Sequence, residues 1–233
     1  MTRGIGGYLA SSSKEILARI GRYVPISYVK WSQPAINYMV HGRWMYERGF
    51  DSGERVRTRE QVWDAIGKRV RDERVLYLEF GVAHGGSIEY WSNILKNPES
   101  VLHGFDSFEG LPDGGGRWAK GEFNVGGLIP VTEDRRVRFF KGWFNEVLPN
   151  YTVPPHDVLV INLDADLYSS TIYVLRYLRP YIQKGTFLYF DELHYTDQEQ
   201  RAFDDFVAET GLKFRCRAAD RCLAHVFFEC LGD

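Results

Sequence analysis

Two runs in the second half of the chain carry apolar residues straight into acids. One is V-L-V-I-N-L-D-A-D-L-Y-S-S-T, which sets Asp164 and Asp166 two positions apart. The other is G-T-F-L-Y-F-D-E-L-H, which closes on Asp191 and Glu192. Four carboxylates gathered at one rim repel each other unless a cation joins them. Mg²⁺ suits an all-oxygen set and keeps positions open for substrate oxygens. A hydroxyl held by such an ion is oriented and loses its proton more readily. Asp164, Asp166, Asp191 and Glu192 are the candidates to hold such an ion, and Asp166 could take the proton instead. His84 and His194 are the alternatives for taking the proton, against the plainer reading of each as a structural histidine.

A third run, V-L-Y-L-E-F-G-V-A-H-G-G-S from Val75 to Ser87, joins an apolar segment to Glu79 and then to Gly81, Gly85 and Gly86. A dinucleotide turn reads G-x-G-x-x-G and keeps acids away from the pyrophosphate. Here the spacing is G-x-x-x-G-G, with Glu79 just ahead of it. A carboxylate there suits S-adenosylmethionine (SAM), which carries a sulfonium and an ammonium. Ser87 is the expected N-cap of the helix that follows. The next strand end, H-G-F-D-S-F-E-G-L-P, supplies Asp106 and Ser107, and an acid at that place bonds ribose hydroxyls. After it comes Lys141-Gly142-Trp143-Phe144, where Trp143 either lies on an adenine face or packs in the core. Glu79, Phe80, Gly81, Gly85, Ser87, Asp106, Ser107, Gly142, Trp143 and Asp164 form the expected cofactor-binding set.

These residues need a scaffold that brings strand ends together. From Val75 onward apolar runs alternate with helical periodicity. Strands are expected at 75–81, 101–106, 137–141, 157–163, 186–191, 213–217 and 224–229, with helices between the first five and another at 198–209. Such alternation means a parallel, doubly wound α/β sheet. The short turn between the last two strands allows only an antiparallel pair. The expected fold is therefore Rossmann-like, seven-stranded and mostly parallel, with the last strand reversed. Ligands in open sheets of this kind bind beyond the carboxyl ends of the strands, where all the acids above fall.

The flanking sequence reads differently. Residues 1–74 show helical patterns, with a capping box at Thr58 and Gln61, and are expected to form an N-terminal helical cap over a domain at 75–233. Trp31, Trp44 and Tyr46 are its exposed-looking aromatics. The glycine-rich stretch 112–127 reads as a solvated loop or a mobile lid. Over 233 residues the net charge is −2, which gives no electrostatic case for nucleic acid. No apolar run reaches membrane-spanning length, and the first residues lack the apolar core of a signal peptide. Cys216, Cys222 and Cys230 fit neither a zinc site nor a disulfide framework, and read as buried thiols of a cytoplasmic protein.

The order of these motifs resembles the macrocin O-methyltransferase family. L-E-F-G-V-x-x-G-G-S, F-D-S-F-E-G-L-P, K-G-W-F, L-D-A-D-L-Y-S-S-T and F-D-E fall at successive strand ends across 75–230. The resemblance implies the class I methyltransferase fold, with SAM as methyl donor, S-adenosylhomocysteine as product, Mg²⁺ as cofactor and a homo-oligomer. It also implies a hydroxyl acceptor on a sugar of a glycosylated natural product. By it, Asp164, Asp191 and Glu192 match metal positions and Asp166 a general base. The chain departs from the family at Ala83-His84, where an aromatic and a basic residue are common, and at Asp191-Glu192, where Asp-Asp is commoner. Catechol-type methyltransferases are a weaker match, because they place a lysine where Leu167 stands. Two other classes remain: a metal-dependent glycosyltransferase using Asp164-Ala165-Asp166 as a D-x-D motif, and a non-catalytic SAM-binding scaffold.

Overall fold

A computed structural model describes the backbone of residues 6–233 and their side chains apart from 6–12, 29–31 and 33. Trp31 therefore lies outside the described side chains. The chain divides into two compact units, residues 1–40 and 41–233.

In the first unit lie helix α1 (Gly6–Gly21) and the first part of α2 (Ile26–Glu47). Ile16, Leu17, Ile20, Tyr23, Ile26, Tyr28 and Met39 are exposed there.

The second unit opens on the last turns of α2 and holds strand β1 (Glu54–Val56), helix α3 (Arg59–Val70), β2 (Val75–Phe80), α4 (Gly86–Ile94), β3 (Val101–Asp106) and β4 (Val137–Lys141). It continues with α5 (Phe144–Val147), β5 (Val158–Leu163), α6 (Tyr168–Leu178), β6 (Phe187–Phe190), α7 (Glu199–Thr210), β7 (Lys213–Asp220) and β8 (Val226–Gly232). The strands form one sheet in the order β1-β7-β8-β6-β5-β2-β3-β4. β8 runs antiparallel to both β6 and β7, and the other pairs are parallel.

The α/β class and the reversed last strand are as expected, but the sheet has eight strands rather than seven. β1 is the addition, paired with β7 from Glu54 opposite Ala218 to Val56 opposite Asp220. Three residues are too few to show a strand's alternation. The expected boundary at 74/75 falls inside the second unit. Met45 and Phe50 are buried in its core, and the Trp44 indole N–H donates to Asp204 at 2.9 Å. No helix joins β3 to β4; residues 107–136 form an extended connection instead.

β2 sits near the middle of the sheet, and all six of its residues are buried. Leu76, Leu78 and Phe80 pack on one face with Leu159, Leu175 and Phe203. Val75 and Tyr77 pack on the other with Trp63 and Trp91. That is the two-residue period of a strand covered on both sides. α3 begins as its sequence signals: Thr58 Oγ1 accepts from the Gln61 N–H at 3.3 Å, and Gln61 Oε1 accepts from the Arg57 N–H at 2.9 Å. α4 begins two residues earlier than expected. Its N-cap is Gly85, at φ +81°, and the Ser87 hydroxyl turns inward to Glu79 instead of capping. Of the three cysteines, Cys216 and Cys230 are buried and Cys222 is exposed; all three are free thiols.

Candidate active site

A cavity of about 510 Å³ opens beyond the carboxyl ends of β2, β3, β5 and β6. Gly81, Ala83, Asp106, Ser107, Trp143, Asp164, Asp166, Asp191 and Glu192 line it. The sheet thus brings together five of the ten expected cofactor residues, all three expected metal ligands and the expected base.

At the β2 and β3 ends the geometry is set by the backbone. Gly81 stands at φ +94°, and a Cβ there would meet the Asp164 carbonyl oxygen at 1.8 Å. Only glycine lets the β2 end pass that close to the β5 end. Asp106 Oδ2 accepts the N–H groups of Val82 and Ala83, each at 2.8 Å, and Oδ1 accepts the Phe108 N–H at 2.7 Å. The acid therefore holds the glycine turn in place, and Oδ1, with a single N–H, keeps capacity for a further donor.

The other five expected cofactor residues, Glu79, Phe80, Gly85, Ser87 and Gly142, serve the fold behind this turn. Glu79 is fully buried, taking the Tyr77 hydroxyl at 2.7 Å and the Ser87 hydroxyl at 2.6 Å. Burial raises its carboxyl to about 7, against the lowering effect of those two hydroxyls. It does not line the cavity, and the two hydroxyls hold it in a hydrogen-bonded network. Phe80 stacks on Phe105 with ring centroids 4.9 Å apart. Gly85 caps α4, and Gly142 passes beneath Val147 and donates its N–H to the Asp106 carbonyl at 2.9 Å.

The β5 and β6 ends are electrostatically different. Asp166 is buried at φ +59°, and its carboxyl is raised to about 7 by burial and then by the charges of Glu192, Asp191 and Glu122. Asp164 is raised well above the usual carboxylate range by burial, then by Asp191 and Asp166. Burial and the Asp191 charge likewise raise Glu192, whose Oε2 is buried without a partner. Behind them Glu199 is buried; its Oε2 accepts the Glu192 N–H at 3.1 Å, and its Oε1 has no partner.

Asp191 is the exception. Burial works to raise it, yet it is held below the usual range by His225 at 3.2 Å, the Tyr189 hydroxyl at 2.7 Å and Arg59 at 3.6 Å. The same contact raises His225 despite its burial. Arg59 and His225 carry no motif and were invisible in the sequence; α3 and β8 bring them in from opposite ends of the chain.

The two histidines expected as alternative bases stand elsewhere. His84 lines a separate depression beside α4, with Pro130 and Asn93. His194 is buried outside the cavity against the Tyr195 ring, and burial lowers it to about 4. At the start of α6 the Tyr168 N–H donates to Gln198 Oε1 at 2.8 Å, not to Asp166. Three of the residues with left-handed φ other than glycine line the cavity: Ala83, Phe123 and Asp166. Strained backbone of this kind collects at functional sites.

In kind, the donors fit a hard cation: they are oxygens, several lack neutralising charge, and one buried oxygen is unpartnered. In arrangement, no group of three or more His, Cys, Asp or Glu side chains is set as a metal site among the described residues.

The family model described as Macrocin-O-methyltransferase matches residues 122–228. A demethyldecarbamoylnovobiocin O-methyltransferase of Streptomyces niveus is 28% identical over 70% of this chain and 68% of its own length. An 8-demethyl-8-(2,3-dimethoxy-alpha-L-rhamnosyl)-tetracenomycin-C 4'-O-methyltransferase of Streptomyces olivaceus is 30% identical over 58% of this chain and 59% of its own. Among solved structures, the O-methyltransferase NovP superposes with a TM-score of 0.51 at 24% identity, over 73% of this chain and 77% of that one. A TDP-rhamnose 3'-O-methyltransferase of calicheamicin biosynthesis gives 0.52 at 22% identity, over 73% and 78%.

The fold is that of the class I methyltransferases, and the sequence is similar to O-methyltransferases. The likenesses bear out the resemblance to the macrocin O-methyltransferase family, whose motifs fall on the cavity described above. They do not support the glycosyltransferase or scaffold alternatives.

Proposed function

We propose that this chain methylates a sugar hydroxyl on a glycosylated natural product, in a Mg²⁺-assisted reaction. The observation that carries the reading is the single cavity joining Asp106 and Trp143 at one end to Asp164, Asp166, Asp191 and Glu192 at the other. The curated relatives carry names of enzymes acting on sugar-bearing antibiotics, which supports the acceptor class.

In this reading the adenosine lies at the Asp106 end. A ribose hydroxyl donates to the free capacity of Asp106 Oδ1, and Trp143 and Phe144 exclude water from the base. The acceptor enters at the other end, its hydroxyl oriented in line with the sulfonium. As the O–CH₃ bond forms and the S–CH₃ bond breaks, Asp166 takes the hydroxyl proton and S-adenosylhomocysteine leaves. Asp164, Asp191 and Glu192 would hold the ion, which supplies positive charge beside the developing alkoxide.

We keep a homo-oligomer and a cytoplasmic setting as parts of the proposal; the free thiols favour a reducing compartment. Among the described residues, no helix is long and apolar enough to cross a membrane.

The test is direct. The purified protein should bind SAM by calorimetry, and a screen of glycosides should show a gain of one methyl by mass. Thorough chelation should abolish that gain and Mg²⁺ restore it. Full activity after metal removal would leave the acids as hydrogen-bonding groups alone. Wild-type protein that is folded but does not bind SAM would sink the whole reading.

A further inference from the structure

The connection from β3 to β4 is fastened at several points. Leu111 donates its N–H to the Glu122 carbonyl and accepts from the Gly121 N–H, each at 2.9 Å. Gly110 sits at φ +86° because a Cβ there would lie 2.5 Å from the Gly121 and Glu122 carbonyl oxygens. Trp118 is buried and packs edge-on to Tyr195 at 6.0 Å between centroids. The Arg117 guanidinium lies 4.1 Å from the Trp118 ring centroid and donates to the Tyr195 hydroxyl. Tyr195 follows the β6 acids by three residues. The segment expected as a loop or mobile lid is therefore anchored to the strand end that bears Asp191 and Glu192.

Out of this anchored loop projects one ring. Phe123 lies edge-on to Trp118 at 5.0 Å, lines the cavity, and is still 48% exposed. Its backbone is left-handed at φ +65°. A solvent-facing position of that conformation is ordinarily glycine, asparagine or aspartate. A bulky aromatic there strains the backbone and leaves much of its own surface in water. Neither local propensity nor core packing accounts for the choice. A flat apolar surface offered to a ligand does, because the C–H faces of sugars and the rings of their aglycones pack on aromatic rings.

We propose that Phe123 is a specificity-determining residue for the acceptor, stacking on the ring next to the methylated hydroxyl, with the Arg117–Trp118–Tyr195 contact holding it in position. The inference rests on the methyltransferase reading above and names the surface that reads the acceptor.

The experiment uses the full chain loaded with S-adenosylhomocysteine and two probes, p-nitrophenyl α-L-rhamnoside and methyl α-L-rhamnoside. Wild type should bind the aryl glycoside more tightly than the methyl one by calorimetry. Phe123→Gly, which relieves the left-handed strain, should lose about tenfold in aryl-glycoside affinity and keep its affinity for S-adenosylhomocysteine. Phe123→Tyr should retain wild-type binding. Unchanged glycoside binding in Phe123→Gly would overturn the proposal. So would a parallel fall in affinity for both ligands, equal loss in Phe123→Tyr, or wild type that does not discriminate the two glycosides. Failure of wild type to bind S-adenosylhomocysteine at all would instead reject the methyltransferase reading.

Discussion

The two ends of the cavity treat their carboxylates in opposite ways. At the β3 end, Asp106 receives three backbone N–H groups and pins the glycine turn. At the β5 and β6 ends, Asp164, Asp166 and Glu192 share so few donors that burial and mutual repulsion raise all three. One end is satisfied before any ligand arrives, and the other holds a deficit of positive charge. In the proposed reading, the difference teaches that the cofactor half is built by backbone geometry, whereas the acceptor half is completed by what binds to it.

The sharpest way to break that comparison is at Asp166. Asp166→Asn should lower turnover by about 10²–10⁴-fold, the usual worth of a general base, while SAM affinity by calorimetry stays near wild type. Asparagine tolerates the left-handed backbone here, so the fold should not suffer. Near-full activity would return the search for a base to residues outside the acid cluster.

Truncation comes next. Removing residues 1–50 should unfold the protein, because Met45 and Phe50 belong to the core of the second unit, and losing one such side chain costs about 2–5 kcal/mol. Removing 1–40 should leave a folded chain that binds SAM. If the first unit serves the acceptor, that shorter chain should have lost turnover. A truncated 41–233 chain that melts well below wild type would show that the compact boundary is not an energetic one.

A smaller effect is expected at the satisfied end. Asp106→Ala frees the Val82, Ala83 and Phe108 N–H groups and should weaken SAM binding by about 1–3 kcal/mol. Equal affinity in wild type and variant would move the ribose away from β3.

The smallest effect concerns Glu79. Its folded carboxyl titrates near 7, above the 4.5 of an unperturbed glutamate, so the folded state binds its proton more tightly than the unfolded one. The associated stability is fully present below about pH 4.5 and is lost as pH rises toward 7. Glu79→Gln should therefore narrow the fall in melting temperature between pH 5 and pH 7.5. Parallel profiles for variant and wild type would mean that the buried network keeps the carboxylate ionised.

Much of this arrangement was legible in the chain. Strands covered on both faces are continuous apolar runs, so β2, β3, β5 and β6 stand out, and the acids that end β3, β5 and β6 mark the cavity rim. What could not be read depended on tertiary placement. Arg59 looks like any solvated first-turn residue until α3 packs beside β7 and brings it to Asp191. His225 is an ordinary residue of a short turn until β8 inserts between β6 and β7. Glu79 has the composition of a ligand, and only the inward turn of Ser87 and Tyr77 shows that the core consumes it. β1 is too brief to announce itself, and its pairing with β7 makes residues 54–56 part of the sheet.

Gly81 has a wider bearing. Its missing side chain leaves just enough room for the carbonyl of Asp164, so the turn we assign to the methyl donor and the turn we assign to the acceptor touch through main chain alone. The two halves are geared together at that point. Variation that moved one would drag the other by the same fraction of an ångström, and chains exploring new acceptors would have to change the loops and leave this contact alone.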